Sequence, residues 1–172
     1  MKLFVVAIVT LLASAAMAQE HHQRHGQSPY AGLEKRPVKA LNEQQVADLR
    51  AGRGMGLALA AELNGYPGPL HVLELADRLG LLPEQRSRIQ QLFASMQAEA
   101  IPVGERLIEL ETALDRSFKE RTITPEDLAT MTGRIGETQG ALRSVHLKYH
   151  LTTAAVLTSE QLQRYAEFRG YR

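Results

Sequence analysis

The chain has 172 residues, and its 20 Lys and Arg residues nearly balance its 19 Asp and Glu residues, for a formal net charge of +1. This balance argues against a dedicated nucleic-acid binder, which normally carries a strong basic excess. The absence of cysteine excludes thiol catalysis, thiolate metal sites and disulfides.

The first 18 residues predict a secretory signal peptide. Lys2 supplies a positive start, residues 3–12 are apolar, and Ala16-Met17-Ala18 is a small-x-small cleavage site. The apolar stretch is too short to span a bilayer comfortably, and no charged residue closes it. We therefore expect export and cleavage, with no stable membrane insertion afterwards.

Residues 19–40 predict a flexible, His-rich leader, because they are polar at first and then interrupted by proline and glycine. Its histidines are His21, His22 and His25. Neutral imidazoles at this spacing can bind Zn²⁺, Cu²⁺ or Ni²⁺, although such an arm offers too few ligands for a closed structural site. The alternative is a solvated polar segment that follows the cleavage site.

Residues 41–172 predict a single all-α domain, since no stretch alternates apolar and polar residues as a half-buried strand does. Asn42 and Gln45 have the spacing of a capping box and predict a first helix over 43–63. A short helix is expected over 70–79, where Gly80 ends it.

The run Gly52-Arg53-Gly54-Met55-Gly56 lies in the middle of the first predicted helix. It is not a nucleotide-binding loop, because a dinucleotide fingerprint needs a preceding strand and a P-loop ends in Gly-Lys-Ser/Thr. We interpret the run as a weakened helical segment whose small residues allow close backbone packing.

Two long amphipathic helices follow. Apolar residues spaced alternately by three and four over 89–114 predict a helix over 83–119, which Pro102 should kink. The run Thr124-Pro125-Glu126-Asp127 is a strong helix start, and a second apolar seam covers 128–156. Because the turn between them is short, the two helices should form an antiparallel hairpin.

A hairpin of two helices is too thin to bury a wide apolar stripe on both members. It must therefore pack against its flanking helices, a second copy of the chain or another molecule. We predict a homodimer.

A last helix is expected over 158–169. It begins in the sequence Leu157-Thr158-Ser159-Glu160-Gln161, where Thr158 can cap the first turn and Gln161 can reach back to the cap residue.

The sequence Leu81-Leu82-Pro83-Glu84-Gln85 repeats this pattern before the first long helix. Pro83 occupies the first helical position, where proline is tolerated best, and Gln85 matches Gln161. Leu82 stands where the other copy has threonine, so its side-chain cap is missing.

Together with the signal peptide and the kinked helical hairpin, these two motifs resemble the Spy/CpxP family of LTxxQ-motif periplasmic proteins, most closely over 70–169. Segment 51–69 is similar to a subgroup of heavy-metal-sensor-like members. The resemblance implies a cradle-shaped antiparallel homodimer in the periplasm. It further implies an ATP-independent chaperone, an inhibitory partner of an envelope-stress sensor kinase, or a metal-responsive sensor.

No catalytic constellation is recognisable, because the chain has neither a Gly-x-Ser-x-Gly elbow nor a His-Glu-x-x-His pair. We therefore expect a protein that is not an enzyme and needs no cofactor.

His146 and His150 are four residues apart, on one face of the second long helix. We interpret them as surface histidines that flank the apolar seam, with metal ligation as the alternative.

The expected function is to hold unfolded or stressed envelope proteins on a concave apolar and basic face, with a metal-binding sensor or buffer as the alternative. Guanidinium groups bind carboxylates and stack on aromatic rings, and apolar surface binds exposed apolar side chains. The candidate client contacts are Arg86, Met96, Arg106 and Arg143.

Overall fold

The structure, a computed structural model, describes residues 28–171, which contain six α-helices and no strand. The all-α prediction is therefore confirmed. The predicted signal peptide and the leader histidines lie outside the described residues. The helices are α1 (Glu43–Arg50), α2 (Leu59–Glu62), α3 (Pro69–Glu74), α4 (Pro83–Lys119), α5 (Pro125–Ala154) and α6 (Ser159–Arg169), preceded by a 3₁₀ turn over Leu33–Lys35.

The helices α4 and α5 pack against each other as the predicted antiparallel hairpin. We call the end where α4 begins and α5 finishes the open end of the hairpin. Towards this end, the Tyr149 hydroxyl donates to the Glu99 carboxylate at 2.7 Å. Near the turn, Ser117 approaches the Met131 sulfur at 4.0 Å. The helix α4 has the predicted bounds and continues through Pro102.

The prediction of a continuous first helix over 43–63 is wrong. The capping box of Asn42 and Gln45 forms as expected, but α1 ends at Arg50 and a loop over 51–58 follows. Gly52, Met55 and Gly56 have φ values of +64°, +44° and +83°. These are left-handed conformations that an α-helix cannot include.

The packing of α1 on α4 depends on a glycine. A Cβ atom on Gly104 would lie only 2.7 Å from the Leu49 carbonyl oxygen. Earlier on α4 than Gly104, the Gln97 side-chain amide donates to the Ala51 carbonyl at 3.2 Å. These contacts hold the end of α1 against α4 at the point where the loop begins. The close backbone packing expected around Gly52 is therefore present, but in a loop and not in a helix.

Two other predicted boundaries differ from the structure. The helix expected over 70–79 is shorter, since α3 ends at Glu74 and turns continue to Gly80. The core also begins before residue 41, because Val38 is buried against the hairpin. The neighbouring Lys39 forms an ion pair with Asp115 at 3.2 Å.

The two helix-start motifs meet through their glutamines. The side-chain amides of Gln85 and Gln161 donate to each other's oxygen at 3.0 Å. Each oxygen also accepts the backbone N–H of its own cap residue, Leu82 at 3.1 Å and Thr158 at 3.0 Å. The motifs therefore join the beginnings of α4 and α6, although Leu82 provides no side-chain cap.

Within residues 28–171, no helix combines the length and the apolar character needed to cross a membrane.

Candidate functional site

A cleft of about 590 Å³ lies beside the loop over 51–58 and is bounded by residues of α2, α3, α4, α5 and the C-terminal end of the chain. We call it the histidine cleft. Its walls include Met55, Leu59, Phe93, Met96, His146 and His150. The lining thus combines apolar side chains with two imidazoles from successive turns of α5.

Both cleft histidines are buried, with exposed fractions of 2% for His146 and 9% for His150. The interpretation of these residues as surface histidines is therefore wrong. Gly54 in the loop and Gly68 before α3 lie against the two rings and cover this face of α5. A continuous first helix over 43–63 would not place Gly54 against the ring. The predicted helix therefore gave no indication that the two histidines are buried.

His150 is held in one orientation. Its Nδ1 lies 2.7 Å from the Tyr66 carbonyl oxygen, so Nδ1 carries the hydrogen and donates it. A Cβ atom on Gly68 would lie 2.8 Å from the His150 Nε2, so the ring fits only against a glycine. The Glu62 carboxylate lies 3.6 Å from Nδ1, close enough to pair with this imidazole when it is protonated.

Glu62 is a buried acceptor that joins α2 to α6 and the C-terminal end. Its carboxylate accepts hydrogen bonds from the hydroxyls of Tyr165 at 2.5 Å and Tyr171 at 2.9 Å. It also accepts the backbone N–H of Gly68 at 3.2 Å, and the Arg169 Nε lies 3.8 Å away. Burial, and then the bond to this carboxylate, raise the pKa of Tyr165 far above its usual range.

Glu62 was not among the candidates from the sequence. A glutamate in a predicted helix is usually exposed to solvent. The groups that donate to Glu62 also lie about a hundred positions away along the chain. The one signal for a buried acceptor in the sequence is the pair of hydroxyl donors at Tyr165, in the last helix, and Tyr171, just after it.

His146 differs from His150 because one of its ring nitrogens, Nε2, is buried without a hydrogen-bond partner among the described residues. A Cβ atom on Gly54 would lie 3.5 Å from its Nδ1. Burial, and secondarily the proximity of His150, lower the pKa of His146. The imidazole is therefore neutral at pH 7.

The part of the chain that the structure describes adds no third ligand to this pair of histidines. Within residues 28–171, no three His, Cys, Asp or Glu side chains lie close enough together to hold an ion. A closed site needs more than two ligands, so we assign no metal to His146 and His150. The leader histidines His21, His22 and His25 lie outside the described residues.

The structure does not bring the four candidate client contacts together. Arg86 pairs with Asp77 and Arg106 pairs with Glu109, both at the surface of the protein. Arg143 lines a separate groove between α1 and α5. Met96 is 6% exposed and belongs to both the core and the cleft wall.

The lining determines what the histidine cleft can accommodate. Its one buried carboxylate is already satisfied by donors of the protein, and its deepest imidazole is neutral, so the interior suits apolar groups better than ions. No protein-family model matches this chain, and no curated protein or solved structure is significantly similar to it.

Proposed function

We propose that this chain is a periplasmic chaperone or envelope-stress adaptor that holds apolar segments of unfolded proteins without ATP. The observation that carries the proposal is a concentration of large apolar side chains that are 39–56% exposed within one stretch of 16 residues. We call this set the apolar rim. It consists of Met55, Leu59, Leu63, Tyr66 and Leu70.

The apolar rim borders the histidine cleft, since Met55, Leu59 and Leu70 also line the cavity. Contiguous exposed apolar surface is a common mark of an interaction site. Methionine is well suited to variable partners because its side chain is flexible and polarisable. Arg53 beside the apolar rim has a side chain that is 63% exposed, and its guanidinium pairs with Asp48 at 2.9 Å, so a client carboxylate would have to compete with that ion pair.

Weak binding on such a surface requires no nucleotide. A client that folds buries its own apolar side chains, which removes the groups that the apolar rim would contact. The resemblance of the two helix-start motifs to the LTxxQ signature agrees with this role. It also favours a homodimer and makes a sensor kinase the alternative partner.

The proposal is tested by light scattering of a denatured client protein at neutral pH with stoichiometric amounts of the mature chain. We expect wild type to suppress aggregation and the variant Leu59→Ser/Leu63→Ser/Leu70→Ser to lose most of that effect. The matched control is Phe118→Ser/Leu128→Ser, which changes exposed apolar residues near the hairpin turn. Absence of suppression by wild type would refute the proposal.

A second candidate function is a divalent-metal sensor or buffer, which is favoured by the spacing of His21, His22 and His25. Isothermal titration with Zn²⁺, Cu²⁺ and Ni²⁺ should compare the mature chain with one that begins at Ser28. Heat that disappears with the leader would support this function, and negligible heat from both chains would remove it.

A further inference from the structure

We propose that His146 is an acid-sensitive latch for the loop over residues 51–58, which packs on the His146 ring through Gly54 and forms one wall of the histidine cleft. In this proposal the neutral imidazole holds the loop closed, and its protonation in mild acid releases the loop and opens the cleft. The proposal goes beyond the chaperone function and can be tested without any client.

The first support is the environment of the ring. His146 is 2% exposed, and its buried Nε2 has no partner among the described residues. A neutral imidazole can leave one nitrogen without a hydrogen, whereas an imidazolium has two N–H donors and a full charge. Burying that charge and a donor without partners costs considerable free energy.

The second support is the set of charges that face the cleft, none of which compensates a charge on His146. The titratable groups that line the cleft are Arg53 from the loop, Glu62 from α2, His71 from α3, His150 from α5, Arg169 from α6 and Tyr171 after it. Tyr165 of α6 does not line the cleft but donates to Glu62. The neighbouring residues of α4 that line the cleft, Phe93, Met96 and Gln97, do not titrate.

Each acid near the cleft is already engaged. Glu62 accepts from two tyrosines and from Gly68, and it lies beside His150 rather than being paired with His146. On α4, Glu99 binds Lys148 and Tyr149 on another side of α5. A proton on His146 is therefore accommodated most readily by exposing the ring to water.

The third support is the construction of the loop, which can move while its ends stay in place. Gly52 and Gly56, at φ +64° and +83°, can serve as hinges, and Met55 between them is held at φ +44°, which is unfavourable for a side chain with a Cβ. Before the first hinge, the bond from Gln97 to Ala51 and the packing of Leu49 on Gly104 anchor the end of α1.

The direction of the pH effect follows from proton linkage. Burial lowers the pKa of His146 in the closed state, whereas an open, hydrated imidazole has its usual value near 6.5. The open state therefore binds more protons in mild acid, and the closed state is favoured above about pH 6.5 and weakened below it. Each unit of difference in pKa changes the ratio of open to closed loop by roughly tenfold.

The test is amide hydrogen exchange over residues 53–57 between pH 7.5 and pH 5, corrected for the intrinsic exchange rates. We expect protection in wild type to fall in acid, by up to about tenfold for each unit by which burial lowers the pKa of His146. In His146→Leu, which cannot be protonated, protection should not change with pH. The matched control Glu137→Leu, at an exposed position of the same helix outside the cleft, keeps His146 and should behave as wild type.

An NMR titration of the His146 imidazole in wild type gives a second measurement that does not depend on the folding of any variant. A pKa at or above the usual value would overturn the latch. It would also be overturned by loop protection that is constant in wild type, or that falls equally in His146→Leu. Because neither measurement includes a client, failure of the latch would leave the chaperone assay at neutral pH as a separate result.

Discussion

The two ends of the helical hairpin differ in how far they bury their polar residues and glycines. At the open end, α3, α6 and the loop over 51–58 pack around α4 and α5, and they bury polar groups such as Glu62 and His146. Near the turn, the segment 125–141 of α5 has one buried residue, Ile135.

Glycines show the contrast most clearly. A Cβ atom on Gly68 or Gly104 would collide with a neighbouring group at less than 3.0 Å, whereas a Cβ on Gly133, Gly136 or Gly140 of α5 would meet nothing within 4 Å. Glycine at the first two positions therefore permits contact between elements. At the other three it weakens a helix that has little cover.

This comparison indicates that stability is concentrated at the open end of the hairpin. The segment near the turn has few buried contacts and should open first in local unfolding. The candidate site thus lies in the better-packed half, beside the loop over 51–58.

The largest expected effect is at Glu62. Replacing it in Glu62→Leu would leave two tyrosine hydroxyls and the Gly68 N–H without their acceptor, and we expect the free energy of unfolding to fall by about 3–5 kcal/mol. Urea denaturation followed by circular dichroism measures this change. The control Glu137→Leu, at an exposed position of α5, should change it by less than about 0.5 kcal/mol. Similar small losses from both variants would contradict the comparison.

The glycine contrast gives a prediction with opposite signs at two helical positions. Gly104→Ala should destabilise the protein by about 1–3 kcal/mol, because the new methyl group would contact the Leu49 carbonyl and push α1 away. Gly133→Ala should stabilise it by up to about 1 kcal/mol, because the methyl group enters open space on a helix. Thermal unfolding of both variants under the same conditions measures the difference, and shifts of the same sign would be inconsistent with this packing.

A smaller effect is expected where the two motifs meet. A double-mutant cycle of Gln85→Ala and Gln161→Ala should give a coupling energy of about 1 kcal/mol, because each single variant already removes the reciprocal amide bonds. The control pair Gln163 and Glu167 makes an exposed bond within one helix and should couple much less. Additive effects at Gln85 and Gln161 would show that the pair contributes nothing beyond its separate caps.

The sequence predicted the elements that depend on local signals. Proline at the first helical position and the apolar seam placed α4 over its observed bounds, and the cap at Thr124 placed the start of α5. The reciprocal cap of Thr158 and Gln161 was also correct. These features need only neighbouring residues, which is why spacing alone revealed them.

The candidate site was not predictable in the same way. Gly52, Gly54 and Gly56 were interpreted as a weakened helix, since glycine costs only about 1 kcal/mol per position there. Contacts with α4 outweighed that local preference and turned the chain into a loop. The burial of His146 then depends on this loop, and the periodicity of α5 carries no information about it.

The smallest expected effect is at the hairpin turn, where Arg121 has φ +57°. This left-handed position follows the end of α4 and is usually occupied by glycine, because a Cβ atom is unfavourable there. Arg121→Gly should therefore stabilise the protein, although by only about 0.5 kcal/mol, since glycine also gains entropy in the unfolded chain. Arg121→Ala keeps the Cβ and removes the guanidinium, so it separates backbone strain from any effect of charge. If both variants raised the unfolding midpoint equally, the arginine charge and not the backbone would limit stability at the turn.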